Sequence, residues 1–354
     1  MWMKVVCKEL GIRNLELRKC SKLKYQSNKM KIFFRCLLLI CLLLIACLHS
    51  FCWGFYAHQK INYYAVFLLP PEMMVLYKPN ITFLSEHAVD PDKRRYAVPG
   101  EGPRHYIDID HYGKYPYDSL PRNFNDAVAK FGEDSLNAFG IVPWHIQTML
   151  VRLTAAFKEK NFGTIMKTSA EIGHYIGDAH VPLHTNSNHN GQYTNQRGIH
   201  GFWESRVPEL LAEKEFDFFI GKAEYIKNAG DFIWKRILES AKASDSVLNF
   251  ERELSKQFND DKKYSFEERN GKTVRQYAAA FTIAFNKKLN GMIERRMRQS
   301  IFSIASFWYT AWVNAGQPDL KGLVNQKFSE QDVKEFEELN IRWKAGVKMI
   351  GKEE

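Results

Sequence analysis

Residues 171–184 read EIGHYIGDAHVPLH, and the fold follows from how this stretch is read. His174 and Asp178 stand four residues apart, so on an α-helix both side chains leave the same face. Pro182 marks where that helix should stop, with His184 just beyond it. Upstream, residues 161–175 carry apolar residues at helical spacing. So do residues 143–157, where Pro143 occupies the first turn and Ile146, Leu150, Leu153 and Phe157 share a face. Residues 216–255 and 276–315 read as two further helices, the second ending at Gly316 with Pro318 beyond. The pattern breaks at 184–198, HTNSNHNGQYTNQRG, an Asn- and Gly-rich loop, and again in the irregular stretches 89–102 and 111–123. Strict alternation is scarce. The expectation is an all-α chain with long loops, in which the charge-rich run 327–338 is a solvated helix face.

Working outward, the first fifty-two residues differ from the rest. Residues 31–48 read KIFFRCLLLICLLLIACL, a basic start followed by an apolar run, and Ser50-Phe51-Cys52 places small residues at −3 and −1 of a cleavage site before Trp53. This is the pattern of a secretory signal peptide starting at Met30, with residues 1–29 as an upstream extension. Two alternatives stay open: an uncleaved membrane anchor, and lipoprotein processing at Cys47. The expected protein is therefore exported after cleavage, with membrane anchoring as the lesser alternative. All six cysteines precede Trp53, which excludes a disulfide framework and thiolate metal sites from residues 53–354. The leader also holds ten Lys/Arg against two Asp/Glu, so the chain's net charge of +10 falls to +2 over the remaining 302 residues. Overall basicity is thus no argument for nucleic-acid binding. With no repeat or linker, 53–354 reads as one domain, its motifs within 53–204 and a helical part at 205–354.

The chemistry-bearing residues cluster. His200 and Glu204, in GIHGFWESR, repeat the four-residue spacing of His174 and Asp178, and His184 lies between the two pairs. An imidazole and a carboxylate one helical turn apart can grip one cation, and both are good zinc donors. One such pair is usually a surface ion pair. Two pairs with an intervening histidine inside thirty-one residues are harder to dismiss. Upstream stand His58, Asp90 and Asp92 in VDPDKRR, and His105 and Asp108 in RHYIDID. His145, His180 and His189 have ordinary readings, as core or loop histidines, and His87 and His111 flank the candidate ligands and could support them by hydrogen bonds.

Taken in order, these residues resemble the superfamily that unites bacterial zinc-dependent phospholipases C with the single-strand-specific zinc nucleases of fungi and plants. Trp53-x4-His58 matches the family's N-terminal Trp and its His partner. Asp90 precedes His105 at the family's spacing, and HYID at 105–108 resembles its HFID-like stretch. His174-x3-Asp178-x5-His184 and His200-x3-Glu204 match the two remaining motifs. The resemblance implies a multi-helix phospholipase C/nuclease-type domain holding three zinc ions between its helices. It assigns Asp90, His105, His174 and Asp178 to one ion, and Trp53, through its α-amino group and carbonyl, with His58 and a bridging Asp90 to a second. His184, His200 and Glu204 take the third. Asp92, two residues from Asp90, competes for its place. Asp108 matches a residue that orients the attacking water, and Lys93 a cation near the transition-state charge.

The implied function is hydrolysis of phosphodiesters. GDAHVPLH and Thr194-Asn195 lean slightly toward cleavage of single-stranded DNA or RNA. Glu204 in place of the nucleases' usual Asp, the short gap from His184 to His200 and the missing cysteines lean toward a phospholipase C acting on phospholipids. Tyr193, Phe202 and Trp203 could stack bases or fill the core. A remoter alternative is a zinc-stabilised binding module, prompted by the aromatic run FWYTAW at 307–312. Against it, structural zinc sites are usually closed Cys/His tetrahedra.

Overall fold

The helix that carries His174 and Asp178 is buried on nearly every side. In the computed structural model, which describes residues 55–345 except Asn270, this helix runs Phe162–His180, and from Thr168 to His180 only Glu171 escapes full burial. A helix so enclosed must be the centre of its domain. The elements around it are α1 (Phe55–Ala65), α2 (Pro71–Tyr77), α3 (Ile81–Glu86), α4 (Asp90–Arg94), α5 (Phe124–Phe131), α6 (Glu133–Phe139) and α7 (Val142–Lys158). The central helix itself is α8. After it come α9 (Val207–Glu215), α10 (Ala229–Ser255), a hairpin of β1 (Tyr264–Arg269) and β2 (Lys272–Tyr277), α11 (Ala279–Lys288), α12 (Met292–Asn314) and α13 (Glu330–Lys344). The class is all-α, with one antiparallel hairpin as the exception among the described residues.

α1, α7, α10 and α12 pack around α8. The approach of α1 is set by two glycines. A Cβ on Gly173 would lie 2.0 Å from Asn62 Oδ1, and one on Gly177 would lie 2.7 Å from Ile61 Cδ1 and 3.0 Å from His58 Nδ1. Only hydrogen at both positions lets the helices close to this distance. Asn62 fills the contact with two buried hydrogen bonds, to Leu84 O and Ala170 O. The closeness is what brings His58 against the metal-motif residues of α8.

Three sequence expectations are corrected. Residues 216–228 are not helical: Phe216, Phe218 and Ile220 turn toward the core while Asp217 and Phe219 are exposed. That segment is pinned by Ala223 N to Leu68 O, Glu224 N to Ser306 Oγ and Ile226 N to Thr310 Oγ1. Residues 276–315 are not one helix either, because β2 ends at Tyr277 and Asn290 and Gly291, both at positive φ, separate α11 from α12. Residues 199–206 form one α turn and then a wider π-helical turn at Phe202–Arg206, which sets the spacing of His200 and Glu204. The aromatic run at 307–312 is core: Phe307, Trp308 and Trp312 are buried, and Trp308 Nε1 donates to Ser169 O across the α8 interface. None of the described helices is long and apolar enough to cross a membrane. The leader, its cysteines and Trp53 lie outside the described residues.

Candidate metal centre

Asp178 is the hub of the site. One turn beyond His174 on α8, it is 1 % exposed, and its oxygens meet four histidines from four parts of the chain. Oδ1 lies 3.3 Å from His58 Nε2 and 3.7 Å from His184 Nδ1. Oδ2 lies 3.1 Å from His105 Nδ1 and 3.2 Å from His174 Nε2. The last two nitrogens are 3.0 Å apart. Asp92 completes this side, with Oδ1 3.7 Å from His105 and 3.6 Å from His174. On the other side, Glu204 Oε2 lies 3.4 Å from His184 Nε2 and 3.1 Å from His200 Nε2. Three groups of potential donors result: His58, Asp92 and His174; His105, His174 and Asp178; His184, His200 and Glu204, all buried.

The donor chemistry fits a divalent metal. His174 Nδ1–H donates to Ala88 O at 2.9 Å and His184 Nδ1–H to His105 O at 2.7 Å. These bonds fix the tautomers, so each ring turns its Nε2 lone pair into the cluster. Lone pair then faces carboxylate at His184 and Glu204, an arrangement that needs a cation or a proton between them. The edge of a zinc tetrahedron with ~2.0 Å bonds is about 3.3 Å, close to these separations. Asp92 Oδ2, His58 Nδ1 and His200 Nδ1 are buried without a hydrogen-bond partner among the described residues, and such groups normally find one.

Charge is shared unevenly. Burial works against the Asp178 carboxylate, but His174, His184 and His105 hold it well below the usual range. Burial likewise opposes Glu204, which His200 and His184 bring down to about 2. Burial would lower His105, yet Asp178 and Glu101 push it up to about 9. Burial lowers His174. Without metal, protons take over part of the cation's role.

Asp90 is not among the converging groups. Its Oδ2 lies 2.6 Å from His87 Nδ1 and its Oδ1 2.8 Å from Lys93 Nζ. Residues two apart on a helix point roughly 200° away from each other, so α4 can turn only one of Asp90 and Asp92 inward, and it turns Asp92. Lys93 is thereby held by Asp90, with its ammonium 5.9 Å from the Trp343 ring of α13. Asp108 is buried beside the cluster-bearing strand of chain, where Ile107 N bonds to His184 O and Asp108 N to Phe139 O.

Among the other histidines, His87 does support Asp90, whereas His111 stacks on Phe139. His180 is a core residue, bonded to Ile176 O and Ser303. His189 lies in the 184–198 loop, its ring centroid 6.0 Å from that of His200, and belongs to none of the three donor groups. Phe202 and Trp203 are core, which leaves Tyr193, 73 % exposed, as the one solvent-facing ring of the three proposed to stack bases. Glu101 is a buried carboxylate beside the cluster that the motifs leave out, though its four-residue spacing to His105 is the signal used elsewhere. No protein-family model matches the chain, and no curated protein sequence matches it.

Proposed function

We propose that the protein is a zinc-dependent phosphodiesterase holding three ions. The observation that carries this reading is the buried convergence of five histidines with Asp92, Asp178 and Glu204, in the chain order of the phospholipase C/nuclease superfamily. Asp92, His105, His174 and Asp178 would hold one ion. Asp92 and His58 would hold a second with Trp53, and His184, His200 and Glu204 the third. When bound, close zinc ions acidify water and neutralise phosphoryl oxygens. The chain's own part is to aim the donors: Asp178 brings a carboxylate within 3.7 Å of four imidazoles, the carbonyls of Ala88 and His105 set two tautomers, and Asp108 would orient the attacking water. Lys93, already paired with Asp90, would act on substrate charge only by leaving that pair.

For the ester, single-stranded nucleic acid is slightly favoured, Tyr193 offering an exposed ring in the loop that leads to His200. Phospholipid is the second reading, supported by Glu204 and the short His184–His200 gap. The purified protein should hydrolyse bis-p-nitrophenyl phosphate, stop when treated with chelator and resume with zinc. Zinc uptake without hydrolysis would instead favour a binding module. Parallel assays on single-stranded DNA and phosphatidylcholine choose the substrate.

The ligand role of Asp92 has its own test. Asp92→Asn should lower zinc content by at least one ion per chain. Asp90→Asn should keep the metal but cost about 3 kcal/mol of stability, because it strips a buried Lys93 of its partner. Zinc titration and thermal melts of both variants check this. The reverse ranking of zinc loss would return the ligand to Asp90.

A further inference from the structure

Glu101 is fully buried, and four side chains make polar contact with its carboxylate. Oε2 accepts from Arg104 Nη1 at 2.8 Å and from Arg94 Nε at 3.3 Å. Oε1 accepts a hydrogen bond from the Tyr175 hydroxyl and lies 3.5 Å from His105 Nε2, an ion-pair contact rather than a formed hydrogen bond, and no other hydrogen bond reaches that nitrogen among the described residues. Of these partners only His105 reaches the donor cluster, and it does so through its other nitrogen, Nδ1, which faces Asp178, His174 and Asp92.

This makes His105 unlike its neighbours. His174 and His184 each donate Nδ1–H to a backbone carbonyl and offer Nε2 to the cluster. His105 offers Nδ1 and is backed by a carboxylate. A neutral imidazole has one N–H, and Asp178, 3.1 Å from Nδ1, competes for it with Glu101; a cation bound at Nδ1 excludes the proton there and leaves it on Nε2, facing Glu101. A charged acceptor also makes the ring a stronger donor than a carbonyl would.

We propose that Glu101 is a positioning residue: in the zinc-loaded protein it holds the His105 ring as the Nε2–H tautomer, so that Nδ1 is the atom offered to the metal centre, while Arg94 and Arg104 hold the other carboxylate oxygen in place. The inference rests on the zinc reading above, and the experiment separates the two.

In the zinc-loaded protein, labelled with 15N, the ring nitrogens of His105 should appear as a protonated Nε2 and an unprotonated Nδ1. Glu101→Gln puts an amide where the carboxylate stood, and one zinc per chain should weaken by about 10–100-fold against a chelating dye. Glu101→Asp, which keeps the charge, should recover part of that affinity. A purely structural Glu101 would instead lower the melting temperature of Glu101→Gln and leave zinc affinity and the His105 proton unchanged, which overturns the proposal. A protonated Nδ1 in the loaded wild-type protein overturns it too, and needs no variant. If the wild-type protein takes up no zinc, both readings fall together. If it binds zinc and Glu101→Gln binds it equally well, only the role of Glu101 falls.

Discussion

Asp178→Asn is expected to abolish the proposed phosphodiesterase activity and to empty most of the candidate metal centre. The reason is its position rather than its charge alone: two oxygens serve four imidazoles from α1, α8, the 105–108 segment and the turn after α8, each within 3.7 Å. An amide offers one acceptor in place of two and brings an NH2 that repels any cation. The loss should exceed the roughly 10–100-fold typical of changes outside the ligand sphere. The backbone of α8 has no reason to change, because the substitution is isosteric and the helix is secured by α7, α10 and α12. Circular dichroism should therefore match the wild type while atomic absorption shows depleted zinc. A variant with full metal content would remove Asp178 from the ligand set.

How far the sequence revealed the site depends on whether spacing or phase was the question. His174 and Asp178 were readable because a four-residue interval on an α-helix has one geometric meaning, and His200 and Glu204 repeat that interval although their turn widens to a π-helix; His184 was marked only by its place just past Pro182. Asp90 against Asp92 was not, since both precede Lys93 in a five-residue helix and only packing decides which faces inward. Glu101 was readable and was missed, being i−4 from His105 just as His174 is from Asp178. The fold shows the same division. α7 and α8 follow their apolar periodicity. In contrast, residues 216–220, FDFFI, alternate in burial but not in sequence, since the exposed Phe219 is apolar, so the extended segment carries no period-two signal that would separate it from the helix that follows. The hairpin, too, had its mark in Asn270-Gly271, the dipeptide most typical of a two-residue turn. The close approach of α1 to α8 was written as Gly173 and Gly177, but which partner they admit depends on tertiary packing.

The metal-free protein is expected to be most stable near neutral pH, and the benefit of zinc should grow as pH rises. His105 has a folded-state pKa of about 9 against about 6.5 when unfolded. A raised value means stability fully present below 6.5 and lost as pH climbs through 9, on the order of 3 kcal/mol for this shift. On the acid side His145 and His180 are lowered to about 3, chiefly by burial. Both stay neutral in the fold while the unfolded chain takes up protons, so stability falls as pH drops from 6.5 toward 3. Glu204, brought down to about 2 by His200 and His184 against the opposing effect of burial, adds a loss below its unfolded value of about 4.3. Zinc reverses the alkaline limb, because it needs neutral imidazoles and competes with the proton that His105 otherwise holds. Thermal melts of chelator-treated and zinc-loaded protein at pH 6.5 and pH 9 should show the stripped form losing stability over that interval while the gap to the loaded form widens. A stripped protein that gains stability from pH 6.5 to 9 would mean that His105 is not protonated against Asp178 and Glu101, and that the cluster balances its carboxylates some other way.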